Sequence, residues 1–496
     1  MEVGPRRFRV RVLSAAVATL VLGNGLLYWS YGECLSAFFH FDDFWVLGRA
    51  AQIASDERAS FLSIFAPVHG FLLYRPLSTI GYFLGIRLAF GNDPFWYHLV
   101  QMALQSVNAS LVCVLAARLL RSPIVGLAAG LTYLTTPGLA IASCWPALCT
   151  VTAPTLFGLL ALITWTSPSP VIRMTLTPWW FAGALASSEH GVVLPLVLFL
   201  ATVLIPTAAR GRAEIATLGL LCALSAAYAS YKIYYLRFGV VSDFPDPIVR
   251  AVMLQGYTPE FSLAVFLRGI GTYVGYAFSP ALFLVQQTAF TKTWVGVGLL
   301  VALATTVVAF LRTQKRKAHF GIAAFGGAWF VVSLLPVIFL PQHVASYYVA
   351  MGAPGISLWI LGGASGLRVS RQIAAAMLLG ISLVGHWQGR NVILESDEFQ
   401  FFRNFTHAAE RWIRSVAELQ LHPHVTEVVV PDSYLAQLVF VQGEVTKSLL
   451  CSPIQVRVVR DIDHVPEQPG RVILREPFWY PRDPQARSRW LPRRCP

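Results

Sequence analysis

Two adjacent carboxylates, Asp42 and Asp43, lie in the run His40-Phe-Asp-Asp-Phe-Trp45, just past the first long apolar stretch of the chain. A carboxylate at a hydrocarbon edge is costly unless it meets water, a cation or a substrate. Neighbouring acids also repel, which raises the pKa of one toward the range useful for taking a proton. The same pair reads equally as an Asx turn or a helix cap on a wet loop. Other polar residues recur near apolar edges. Arg75, in Tyr74-Arg75-Pro76-Leu77, precedes a helix-starting proline. A guanidinium there can fork a phosphate, or simply snorkel to headgroups. His98 follows Trp96-Tyr97, and Glu189 lies in Ser188-Glu189-His190, the only acid of its pair of apolar runs. His343 and Tyr347 close the set, in Pro341-Gln342-His343 and Tyr347-Tyr348, where the tyrosines also suit an interfacial aromatic belt.

The elements that must position these residues are membrane helices. Only 13% of the 496 residues are charged, against roughly a quarter in a soluble domain. Apolar runs long enough to span recur from Val10 to Trp387 and then stop. The net charge of +13 lies largely in short clusters between those runs: Arg6, Arg7, Arg9 and Arg11; Arg118 and Arg121; Arg173; Arg210 and Arg212; Arg312 to Lys317; Arg368 and Arg371. That is the positive-inside pattern of cytoplasmic loops, and it calls for no nucleic-acid partner. The first apolar run is long and no small-x-small site follows it, so it reads as an uncleaved span.

Charge and parity set the expected topology. A cytoplasmic N-terminus puts Asp42 and Asp43 outside. Phe44, Leu47, Ala51 and Ala54 share one helical face, which suits a helix lying on the membrane surface. Residues 76–90 are apolar but short and carry Arg87; letting them span would invert most later basic clusters. They and residues 261–285 are therefore interfacial or re-entrant. The long external loops are then 32–94 and 237–292, within a transmembrane domain of residues 1–388 with about eleven spans. Residues 389–496 form a small external soluble domain. There Phe402, Phe405, Ala409, Trp412, Val416 and Leu419 make a helical stripe, and residues 427–431, 454–459 and 471–474 read as strands, giving an α/β cap. Cys113 and Cys222 fall in apolar runs as packing residues, and spacing leaves a Cys144–Cys149 bridge open.

Taken in order, the motifs resemble a known family. Phe41-Asp42-Asp43, then Tyr74-Arg75-Pro76-Leu77, then Gly91-Asn92-Asp93-Pro94-Phe95-Trp96-Tyr97-His98-Leu99-Val100 resemble the GT-C superfamily of integral-membrane glycosyltransferases. They are most similar to the branch of the protein O-mannosyltransferases and the transmembrane-plus-TPR O-mannosyltransferases. Ser188-Glu189 resembles that branch's Lys-Glu turn with the lysine replaced. Trp329-Phe330, Leu334-Leu335-Pro336, Leu340-Pro341, Tyr347-Tyr348 and Pro354-Gly355 resemble its late-span signature. The resemblance implies a GT-C-like polytopic helical fold and inverting transfer of a sugar from a polyprenyl-phosphate carrier. The acceptor would be a hydroxyl of a protein, lipid or polysaccharide on the non-cytoplasmic face. It implies Asp42 or Asp43 as general base, Asp42 favoured, and Arg75 on the carrier phosphate. His98, Glu189, His343 and Tyr347 are expected beside the donor. No cofactor follows from the motifs, and a divalent metal is left open; the loop Ser143-Cys-Trp-Pro-Ala-Leu-Cys-Thr150 lacks the acid that relatives often carry there. The setting implied is a bacterial inner membrane with the tail in the periplasm. The alternatives are a lipid-linked sugar flippase and an inactive scaffold of the same fold. A flippase calls for charges within several spans, and these spans are nearly uncharged.

Overall fold

In an oily setting a helix can close its backbone hydrogen bonds within one segment, and the apolar runs here do so. The computed structural model describes residues 5–40, 42–56, 61–65, 75–205, 211–234, 257–278, 303, 318–365, 371–419, 422, 424–431, 439–440, 449, 454–459, 462–466, 468–469 and 471–477. The first helices are α1 (Pro5–Tyr31), α2 (Asp42–Ser55), α3 (Tyr82–Phe90), α4 (Pro94–Leu120), α5 (Pro123–Leu134), α6 (Ala140–Cys144) and α7 (Cys149–Trp165). There follow α8 (Pro170–Ser187), α9 (Leu194–Leu204), α10 (Arg212–Tyr234), α11 (Leu263–Phe278), α12 (Ala318–Ser333), α13 (Ala353–Ser365), α14 (Arg371–Leu394) and α15 (Asp397–Leu419). The strands are β1 (Glu427–Pro431), β2 (Gln455–Val459) and β3 (Arg471–Ile473).

Helix α4 packs against α1, α5 and α7, while α12 packs on α13 and α9. Small residues allow the closest of these approaches. A Cβ at Gly126 or Gly130 of α5 would stand 2.6 Å from the Cys113 carbonyl and 2.5 Å from the Ala109 carbonyl of α4. Among the described residues, four helices are long and apolar enough to cross a bilayer, or five if α5 and the bent segment after it count as one span. Other expected spans fall on shorter or less apolar helices. The expected span at 294–311, residue 303 apart, the cluster at 312–317, Lys292, Phe41, Tyr74, Cys451 and Cys495 lie outside the described residues.

The tail has the expected helix and strands. Every residue of the Phe402-to-Leu419 stripe is buried on α15. The strands pair in parallel in the order β2-β1-β3, with Val428 opposite both Val456 and Val472. Val428, Val429 and Val430 are all buried, as befits a central parallel strand covered on both faces. The polar tail begins inside a helix, because α14 runs on through residue 388 to Leu394.

Several expectations change. The apolar face of α2 lies against protein: Phe44, Val46, Leu47 and Ala50 join one buried core with Phe83 of α3, Phe405 and Trp412 of α15, and Val428 and Val456 of the sheet. Protein, rather than lipid, takes up its amphipathicity, and Ala54 of the expected face is exposed. Cys144 bonds Cys34, 110 residues away, rather than Cys149, which is free and buried. Cys222 is exposed on α10 and joins no core among the described residues.

Candidate active site

The site is assembled where the turn opening α3 meets the turn after α8. Ser78 Oγ donates to the Ser187 carbonyl, which sets one turn against the other. Arg75, three residues before Ser78, thereby meets Glu189, two residues after Ser187. Arg75 Nε lies 2.6 Å from Glu189 Oε2. The Glu189 turn is capped by Ser188, whose hydroxyl accepts from the His190 amide. It presses so closely on α8 that a Cβ at Gly191 would stand 2.8 Å from Ala184 backbone.

A third charge enters from α10. Lys232 Nζ lies 2.9 Å from Glu189 Oε1, and its side chain is only 8% exposed. Two cations therefore share one carboxylate. Burial alone would raise the Glu189 pKa, but Arg75 and Lys232 hold it down at about 2. Lys232 carries no signal in the sequence beyond being a lone base in an apolar helix, where snorkelling is the ordinary reading.

The two aspartates part company. Asp43 is fully buried. Its Oδ2 accepts from the His40 amide at 2.8 Å, the reach-back of an acid in a helix's first turn. Its Oδ1 accepts from the Ala147 amide at 2.9 Å. The loop that lacks an acid thus contributes a backbone donor to one. Burial pushes the Asp43 carboxyl well above the usual range, against the pull of those two amides. Asp42, one residue earlier, is exposed at its surface yet ringed by protein. That crowding raises its pKa to about 6, with the positive charge of Arg75 acting in the opposite direction.

An aromatic wall flanks the charges. Tyr348 OH and His343 Nε2 share a hydrogen bond of 2.6 Å. The His190 ring stacks on Tyr348 at 5.2 Å, and Tyr257 lies 4.5 Å from His343. Tyr347 stands between Tyr348, at 4.7 Å, and Trp145, at 6.4 Å. Burial lowers the His343 and His190 pKa values, the latter to about 4, and Arg75 lowers both further. Both imidazoles are therefore neutral near pH 7. Of the residues singled out from the sequence, Asp42, Arg75, Glu189, His343 and Tyr347 come together, with Asp43 behind them. His98 does not join them. It is fully buried, with Nδ1 against the Cys144 carbonyl and Nε2 3.3 Å from the Phe38 carbonyl, so it braces two loops. Among the described residues, no group of three or more His, Cys, Asp or Glu side chains is gathered to hold a metal.

No protein-family model matches the chain, and no curated protein does. Among solved structures the chain is similar to ArnT from Cupriavidus metallidurans bound to undecaprenyl phosphate, with a TM-score of 0.41 and 14% identity, over 87% of this chain and 75% of that one. It is also similar to the Archaeoglobus fulgidus oligosaccharyltransferase in the apo form, with a TM-score of 0.43 and 11% identity, over 92% of this chain and 64% of that one. These likenesses are of outline and supply no residue-by-residue correspondence.

Proposed function

We propose that the protein is a GT-C-type glycosyltransferase that moves a sugar from a polyprenyl-phosphate carrier to an acceptor hydroxyl on the non-cytoplasmic face. One observation carries this reading: an accessible carboxylate, Asp42, lies within electrostatic reach of Arg75, which shares Glu189 with Lys232. The motif order supports it. Asp42 takes the proton of the acceptor hydroxyl as that oxygen attacks the anomeric carbon. The bond from that carbon to the carrier phosphate breaks, the sugar inverts, and the polyprenyl phosphate leaves with the electron pair. Arg75 and Lys232 supply fixed positive charge where negative charge grows on the leaving phosphate. Glu189 holds those cations in place. Asp43 is assigned to orientation rather than chemistry, and the aromatic wall to the sugar.

The test is transfer of a labelled sugar from polyprenyl phosphate by the purified protein. Asp42→Asn keeps size and most hydrogen bonding but removes basicity. Turnover should fall by about 10²-fold or more while carrier-lipid binding stays nearly intact. Full turnover in Asp42→Asn would remove Asp42 as base, whereas no transfer by the wild-type protein would leave a flippase or a scaffold as the reading.

A further inference from the structure

We infer that helix α15 of the tail is a positioning element of this site, acting through Phe402 and Phe405 on the turn that carries the two aspartates. The inference rests on the transferase reading above. The backbone amide of His40 holds Asp43. The His40 ring is nested among Trp145 at 4.4 Å, Phe405 at 4.7 Å, Phe402 at 5.1 Å and Phe401 at 5.6 Å. Three of these four rings come from α15. The fourth comes from the loop whose Ala147 amide holds the other oxygen of Asp43. Phe402 also lies 6.4 Å from His98, which braces the carbonyls of Phe38 and Cys144. Helix α15 thus leans on both arms of the bracket around Asp43.

The packing argues against a tail that merely docks. An independent cap would turn its apolar stripe onto its own sheet. Here the C-terminal half of the stripe, from Ala409 to Leu419, faces the sheet core, while Phe402 and Phe405 turn to the first loop. At the start of the helix, Glu398 lies against Ser346, the neighbour of Tyr347 in the aromatic wall. Asp42 follows any movement of this turn, since it and Asp43 share the first turn of α2. Proton transfer is sensitive to displacements of about 1 Å, so loosening the nest should cost turnover before it costs carrier binding, which belongs to Arg75 and Lys232.

The experiment uses the full-length protein in detergent, with turnover per folded molecule and affinity for polyprenyl phosphate measured together. Phe402→Ala and Phe405→Ala should lower kcat by about tenfold with lipid affinity unchanged within about twofold, and Phe402→Leu and Phe405→Leu should recover most of it. Phe401 is exposed on its outer side, so Phe401→Ala opens no core and carries the same comparison if the buried alanine variants do not fold. An unchanged kcat, or kcat and lipid affinity falling in parallel, overturns the inference. Wild-type protein that transfers no sugar from polyprenyl-phosphate donors sinks the transferase reading instead, so the two failures are distinct.

Discussion

At the scale of residues, the site turns on two identical side chains with opposite employment. Asp43 is tied at both oxygens to backbone amides, and Asp42 faces outward. An amide at position 43 keeps one acceptor and brings an NH₂ against a backbone donor. Asp43→Asn should therefore destabilise the fold by about 1–3 kcal/mol, read as a lower unfolding temperature, whereas Asp42→Asn should not lower that temperature. The raised pKa of Asp42 gives a pH signature. A base must be ionised, so turnover should rise as pH climbs through about 6 and fall below it. The stability contribution of this group has the opposite sign. A carboxyl pKa raised on folding favours the folded state at low pH, and that contribution is lost as pH rises through about 6. A pH–rate profile flat across that window would detach Asp42 from the rate. None of this division was legible in the sequence, where the pair are neighbours of one type. The amide that distinguishes them comes from Ala147, 104 residues away.

At the scale of elements, the local patterns were legible and their meetings were not. The period of the α15 stripe and the short valine-rich strands follow from chain-neighbour geometry, so they could be read directly. The pairing of Arg75 with Glu189 depends on α3 being hooked to α8 through Ser78, and no periodicity announces it. Lys232 was hidden for the same reason. The apolar face of α2, expected against the membrane, meets protein instead, because a helical face records only that something apolar covers it, not what does. The shared carboxylate makes its own prediction. Glu189→Gln would leave Arg75 and Lys232 facing each other without a counter-ion. It should cost about 3 kcal/mol or more in stability, and Lys232→Met in the same chain should restore part of the loss. Thermal unfolding of the single and double variants checks this; additive losses would show that Lys232 and Glu189 act independently.

At the scale of the whole molecule, the two larger apolar cores among the described residues divide the labour. One lies among the membrane helices; the other joins the first loop, α3, α15 and the sheet. Composition showed where the polar tail begins, but not that it shares a core with a loop some 360 residues earlier in the chain. Asn92, at the α3–α4 turn, is buried with its amide 3.4 Å from the Leu449 carbonyl, which puts that turn and the tail on one side of the helical domain. The covalent tie between Cys34 and Cys144 was not legible for a similar reason, since spacing alone left Cys149 open as a partner and could not announce one 110 residues away. That tie has a consequence for biogenesis. Thiols become a lasting disulfide where an oxidising catalyst meets them, and a cytosolic glutathione pool keeps them apart. With Cys34 and Cys144 on the non-cytoplasmic face, as proposed, the bracket around the aspartates is finished only after translocation, by the same machinery that matures secreted proteins. In cells lacking that machinery, Cys34 and Cys144 should be alkylated by a maleimide after denaturation, shifting the protein on a gel. In competent cells neither should react until a reductant is added. An orientation with these residues in the cytosol would give reactive thiols in both hosts.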